Sequence, residues 1–199
     1  MNNHILFIHG AGEGAYKADA LLTRSLQQEL GSGYEVRYPV MPNEANAPYD
    51  LWKRKIEKEI TIMLDPIVLV GHSVGASHLI KILTEIGIPK LITGIFLLDA
   101  PFWGGKGWRY EGYKELMLPK DVASKLPKDA SLFLYHTHDD EIVPFSHLDL
   151  YAKLLPRAIV REIEKGGHQL NNDLSQVAKD IKLIKNENAI KRENNKMLQ

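Results

Sequence analysis

Four short, unbroken apolar runs constrain this chain more than any other feature. They are Ile5-Leu6-Phe7-Ile8, Ile67-Val68-Leu69-Val70, Ile95-Phe96-Leu97-Leu98 and Leu132-Phe133-Leu134-Tyr135. Runs of this length suit strands buried on both faces of a parallel sheet. Two further segments read differently: Tyr34-Glu35-Val36-Arg37-Tyr38 alternates polar and apolar, and Ile159-Val160-Arg161-Glu162-Ile163 is mixed. A strand with one wet face belongs at a sheet edge.

Amphipathic stretches lie between these runs. Ala18, Leu21, Leu22, Ser25, Leu26 and Leu30 share one helical face, as do Trp52, Ile56, Ile60 and Met63. Leu79, Ile80, Leu83 and Ile86 form a third stripe, with Gly87 as its C-terminal cap. Ser146 and Asp149 have capping-box spacing just after Pro144. The last stripe, Leu174, Val177, Ile181 and Ile184, follows the cap candidates Asn171, Asn172 and Asp173. Strands alternating with helices predict an α/β fold with helices on both faces of a six-stranded, mainly parallel sheet. With strands two and six at the edges, right-handed crossovers give the order 2-1-3-4-5-6. A reaction centre on such a sheet sits at the carboxyl ends of the strands.

A length of 199 residues suits one domain, placed at residues 1–184, followed by a polar, Asn-rich tail at 185–199 that frays or ends as a solvated helix. Lys and Arg total 25, as do Asp and Glu, so no net charge favours nucleic acid or an anionic membrane. The absence of cysteine excludes disulfides, thiol catalysis and Cys-ligated zinc. The run Ile5–Ile8 is too short for a signal-peptide core or a membrane span, and a soluble, cytoplasmic protein is expected.

The strongest chemical signal is Gly71-His72-Ser73-Val74-Gly75. It follows a buried strand and opens a helix, the context a G-x-S-x-G nucleophile elbow requires. A tight strand-to-helix turn lifts the serine hydroxyl above the sheet, and glycines at 71 and 75 allow close backbone approach. The helix amino end favours negative charge beside it.

From this elbow the chain resembles the α/β-hydrolase superfamily, specifically its small single-domain serine hydrolases with a minimal lid, over about residues 4–184. Four segments carry the resemblance: His9-Gly10-Ala11-Gly12, the elbow, Asp140-Glu141-Ile142-Val143-Pro144 and Gly166-Gly167-His168. They occur in the order serine, aspartate, histidine. The resemblance implies Ser73 as nucleophile, His168 as base and Asp140 as the acid that orients the base. Asp99, at a strand end, and Asp139 are alternative acids. It also implies an oxyanion hole built from the N–H groups of Ala11 and Val74, although the loop at Ala11 also reads as a plain strand-to-helix turn. Gly10, Gly12 and Gly14 have the wrong spacing for a dinucleotide loop, and no Gly-Lys-Ser or Gly-Lys-Thr triplet is present.

The segment 101–118 is rich in glycine and aromatics. Phe102, Trp103 and Trp108 are candidate substrate contacts; the same residues also read as a loop that merely covers the sheet. His136-Thr137-His138-Asp139-Asp140 invites a metal reading, but the next residue of the matching ligand run is Glu141 in place of histidine. No metal or cofactor is expected. The expected activity is hydrolysis of a small or medium carboxylic ester. A thioesterase or amidase on the same triad, or a non-catalytic binding protein on the same fold, are the alternatives.

Overall fold

The computed structural model describes residues 3–87, 89–105 and 113–184. The tail at 185–199 and Trp108 lie outside these described residues. In chain order the elements are β1 (Asn3–Ile8), α1 (Ala15–Leu30), β2 (Tyr34–Arg37), α2 (Tyr49–Ile62), β3 (Ile67–His72), α3 (Ser73–Leu83), β4 (Ile92–Leu98), α4 (Val122–Lys125), β5 (Ser131–Thr137), α5 (Ser146–Leu154) and β6 (Ile159–Ile163). Residues 175–184 are helical and form α6. The six strands make one sheet in the order β2-β1-β3-β4-β5-β6, and every neighbouring pair is parallel. The expected strand order and edge strands are those observed.

Each central strand feeds two cores, because successive side chains point to opposite faces. Ile5, Phe7, Val68, Val70, Phe96, Leu98, Phe133 and Tyr135 pack under α1 and α6. Leu6, Ile8, Ile67, Leu69, Ile95, Leu97, Leu132 and Leu134 pack under α2, α3 and α5. Burying a side chain such as Leu22 or Ile80 contributes about 1.5–3 kcal/mol. This two-sided burial is why the central runs are continuous in the sequence, while exposed Ile159 and Val160 mark the edge strand β6.

Three local expectations are corrected. The buried face of α1 is Asp19, Leu22, Thr23, Leu26 and Leu30, whereas Ala18 and Leu21 are exposed. The stripe is rotated because Asp19 is drawn inward by a partner described below. Helix α3 ends at Leu83 with Thr84 as its cap, so Gly87 lies beyond it. The Ser146 capping box does not form: Phe145 occupies the cap position of α5 in helical conformation, and no side chain caps it. The extra helical residue moves Ser146 inside the first turn, where its hydroxyl cannot reach the orphan N–H groups. Of the cap candidates before α6, Asp173 accepts the Ser175 N–H at 2.8 Å, while Asn171 and Asn172 sit in left-handed conformation within a short 3-10 turn.

Candidate active site

The elbow has no connecting loop at all, since β3 ends at His72 and α3 begins at Ser73. Ser73 itself adopts a left-handed φ of 52°. For a residue with a Cβ this conformation costs about 1–3 kcal/mol, which surrounding packing must overcome. The two motif glycines supply the room. A Cβ at Gly71 would lie 2.6 Å from the Cα of Ala76, and one at Gly75 would lie 2.1 Å from the carbonyl oxygen of His9. Both neighbours are backbone, so neither can yield. The amino end of α3 is thereby pressed against the carboxyl end of β1, next to the loop that carries Ala11.

Ser73, His168 and Asp140, drawn from three distant segments, form one hydrogen-bonded chain. His168 Nε2 lies 2.9 Å from Ser73 Oγ, and His168 Nδ1 lies 2.9 Å from Asp140 Oδ2. The carboxylate can only accept, so the ring proton sits on Nδ1 and the Nε2 lone pair faces the hydroxyl. That is the arrangement in which an imidazole can remove a hydroxyl proton. Asp140 is the acid that reaches His168. Its other oxygen accepts the N–H groups of Ile142 and Val143, each at 2.8 Å. Burial raises the Asp140 pKa, but the hydrogen bond and charge of His168, with these two N–H donors, hold the carboxyl below its usual range.

The two alternative acids have other duties. Asp139 accepts the Gly166 and Gly167 N–H groups at 2.8 and 2.9 Å, bracing the loop before the histidine. Asp99 is fully buried and accepts the Thr137 N–H at 2.9 Å. Burial pushes its pKa up to about 8, against the pull of the His72 charge and the Thr137 N–H. Glu141 accepts the His168 N–H at 3.0 Å. Three consecutive acids thus grip the segment Gly166-Gly167-His168.

The histidine run at 136–140 does not converge as a ligand set. His138 pairs with Glu162 at 3.1 Å near the surface, and Asp139 faces the glycines. His136 and Asp140 do approach Asp99, with ligand atoms within 4.8 Å of one another. Yet His136 Nε2 is bonded to the Val143 carbonyl at 3.0 Å, and Asp140 Oδ2 to His168.

Val74 follows Ser73 in the first turn of α3, and Ala11 lies on the loop after β1, next to Gly10, where an added Cβ would lie 3.2 Å from Ser73 Cβ. The β1 loop is rigidly held. His9 receives the Met41 N–H on Nε2 at 3.1 Å, so it carries its proton on Nδ1 and donates it to the Gly10 carbonyl at 2.6 Å. Burial lowers the His9 pKa, in keeping with this neutral ring. The Gly12 N–H donates to the Glu44 carbonyl at 2.8 Å, and the Glu44 carboxylate accepts the Gly14 and Tyr16 N–H groups at the start of α1.

Phe102 is half-buried. Its N–H donates to His147 Nδ1 at 2.8 Å, and its ring lies edge-on to Tyr151 at 5.1 Å. Trp103 is buried, with its ring 5.0 Å from Tyr113. Pro101, where this segment leaves β4, is anchored through its carbonyl by Ser77 Oγ and Tyr151 OH.

Sequence reasoning overlooked Asp19, the variable motif position His72, and Gln169. His72 Nδ1 lies 2.8 Å from Asp19 Oδ2, with both side chains about 1% exposed. His72 Nε2 lies 2.8 Å from the His168 carbonyl oxygen. Asp19 was detectable: at three and seven residues before Leu22 and Leu26, it is an acid on an apolar helical stripe.

Among the described residues no helix is long and apolar enough to cross a membrane. No curated protein is similar enough in sequence to match the chain. Several solved structures share its fold at low identity. The ydeN gene product of B. subtilis aligns with a TM-score of 0.67 at 18% identity, covering 92% of this chain and 97% of that one. The meta-cleavage product hydrolase CumD of Pseudomonas fluorescens IP01 aligns with a TM-score of 0.68 at 18% identity, covering 94% and 91%. SOBER1 of Arabidopsis thaliana aligns with a TM-score of 0.67 at 17% identity, covering 92% and 99%. The family model described as serine hydrolase matches residues 23–183, from α1 through α6 and with all three members of the hydrogen-bonded chain inside it, so the protein belongs to the serine hydrolase family.

Proposed function

We propose that this serine hydrolase cleaves a small or medium carboxylic ester through an acyl-enzyme intermediate. The observation that carries the reading is the chain Asp140–His168–Ser73, with both links at 2.9 Å and the serine on a strained elbow. His168 takes the Ser73 proton as Oγ attacks the ester carbonyl. The oxyanion is held by the N–H groups of Ala11 and Val74. His168 then protonates the leaving alcohol, and water repeats the sequence to release the acid. Asp140 holds the productive tautomer and stabilises the imidazolium. The step requires no metal and no cofactor.

Ester is taken as the default acyl substrate of such a triad, and a thioester or an amide is the alternative bond for the same three residues. Phe102 and Trp103 form a wall of the acyl pocket in this reading. The balance of 25 basic and 25 acidic residues gives no electrostatic reason to bind nucleic acid or an anionic membrane. A cytoplasmic setting belongs to the same reading. The test is labelling with a fluorophosphonate, followed by turnover of p-nitrophenyl esters of increasing chain length. Wild type should be labelled and S73A should not, with the highest kcat/KM at short or medium chains. An unlabelled wild type that turns over no ester would leave a binding protein on this fold.

A further inference from the structure

We propose that Asp19 and His72 form a buried ion pair that positions the catalytic loops, tying the oxyanion loop, the nucleophile elbow and the base loop to a single carboxylate. The inference deepens the hydrolase reading and rests on it.

The geometry is specific. Asp19 Oδ2 accepts two bonds at 2.8 Å, from the Gly10 N–H beside Ala11 and from the His72 ring beside Ser73. Asp19 Oδ1 accepts from Gln169 Nε2 at 3.2 Å, beside His168. The far side of the same ring donates to the His168 carbonyl at 2.8 Å. A carbonyl oxygen cannot donate, and a carboxylate already receiving other N–H donors accepts from Nδ1. Both ring nitrogens therefore carry protons, and His72 is an imidazolium. Burial disfavours the charged ring, but the Asp19 charge and hydrogen bond, with lesser help from Asp99 and the His168 carbonyl, push its pKa up to about 9. Asp19, buried but held by His72, Gly10 and Gln169, is shifted down.

The titratable neighbours facing His72 are Asp19 on α1, Asp99 after β4, His9 at the end of β1 and the His168 ring, 4.8 Å away. His9 is neutral by its hydrogen bonds and Asp99 accepts the Thr137 N–H, so Asp19, bonded directly to the ring, is the principal counter-charge. Asparagine at position 19 cannot do the same work. If its oxygen accepts from Gly10 and from a neutral His72 Nδ1–H, Nε2 turns a lone pair on the His168 carbonyl. If its amide faces His72 instead, the Gly10 N–H meets a donor. One of the two loops is released either way. Asp19 and His72 touch no reacting atom in this scheme and are positioning residues.

The experiment has two arms. In the first, ring 15N shifts of His72 are read by NMR in wild type and in S73A, where catalysis is irrelevant. Both nitrogens should be protonated at pH 7 in each, with deprotonation only in the alkaline range. In the second, D19N is compared with wild type on p-nitrophenyl butyrate. Its kcat should fall by about 10- to 100-fold with KM changed by no more than about threefold, the pattern of misplaced groups rather than lost binding. The alkaline limb of the wild-type kcat profile, set by loss of the His72 proton, should move toward neutral pH in D19N. A variant that is merely less folded would lose activity without moving that limb. A neutral His72 at pH 7 overturns the ion pair whether or not D19N folds. Wild-type kcat and an unmoved limb in folded D19N overturn its positioning role. A protonated His72 in a wild type that no fluorophosphonate labels overturns the hydrolase reading, and the catalytic half of this proposal with it.

Discussion

Two histidine–aspartate pairs stand side by side in this molecule, and they differ in what the second ring nitrogen meets. In His168–Asp140 the far nitrogen faces a hydroxyl, which can donate, at 2.9 Å. In His72–Asp19 it faces a carbonyl, which cannot, at 2.8 Å. The first ring keeps a lone pair and is suited to act as a base. The second has no lone pair to offer and is suited to act as a tie. Burial follows the same division, since the His72 side chain is 1% exposed and that of His168 is 11% exposed. The same two residue types thus serve chemistry or architecture according to one acceptor.

The sharpest way to break this comparison is to replace each histidine by glutamine. H168Q should lower kcat on the order of 10⁴-fold or more, with little change in thermal stability, because only the proton acceptor is lost. H72Q should act mainly on stability, with a kcat loss no larger than the 10- to 100-fold expected of D19N. It leaves the Asp19 carboxylate buried without its counter-charge, a cost of about 3–5 kcal/mol in denaturant unfolding. Equal stability losses for the two variants would erase the distinction.

A smaller effect comes from pH. The folded His72 pKa lies near 9, above the ordinary 6.5 of the unfolded ring. Its contribution to stability is therefore complete below pH 6.5 and is lost as pH rises through about 9. Unfolding measured between these values should show wild type losing up to about 3 kcal/mol, while D19N should stay nearly flat. The smallest expected effect is at Glu141. E141A removes the acceptor of the His168 N–H and should cost about 1 kcal/mol at most, whereas E141Q, which keeps an acceptor, should resemble wild type. A large loss in E141Q would show that the charge, and not the hydrogen bond, holds the base loop.

Much of the architecture was legible because burial on both faces leaves a mark on every residue of a strand. Runs such as Ile67–Val70 could not be edge strands, and the elbow at 71–75 could not be a loop between other elements. The helix faces were less legible. The stripe read through Ala18 and Leu21 is displaced by about one residue from the buried face, because Asp19 breaks the apolar pattern while facing inward. The acids at 139, 140 and 141 are chemically near-equivalent in sequence. Only the direction of the turn after β5 sends Asp140 to the His168 ring, Asp139 to the glycine N–H groups and Glu141 to the His168 N–H.

The sequence by itself determined the alternation of elements, the central and edge strands, and the serine at a strand-to-helix junction. These follow from solvent exposure and backbone sterics, which act on each residue within its own element. The tertiary structure alone decided that an aspartate on α1 meets a histidine 53 positions away, and that the far nitrogen of this ring faces a carbonyl while that of His168 faces a hydroxyl. These pairings depend on which donor faces which acceptor after the helices dock across the sheet. That information belongs to pairs of elements, and no single stretch of chain contains it.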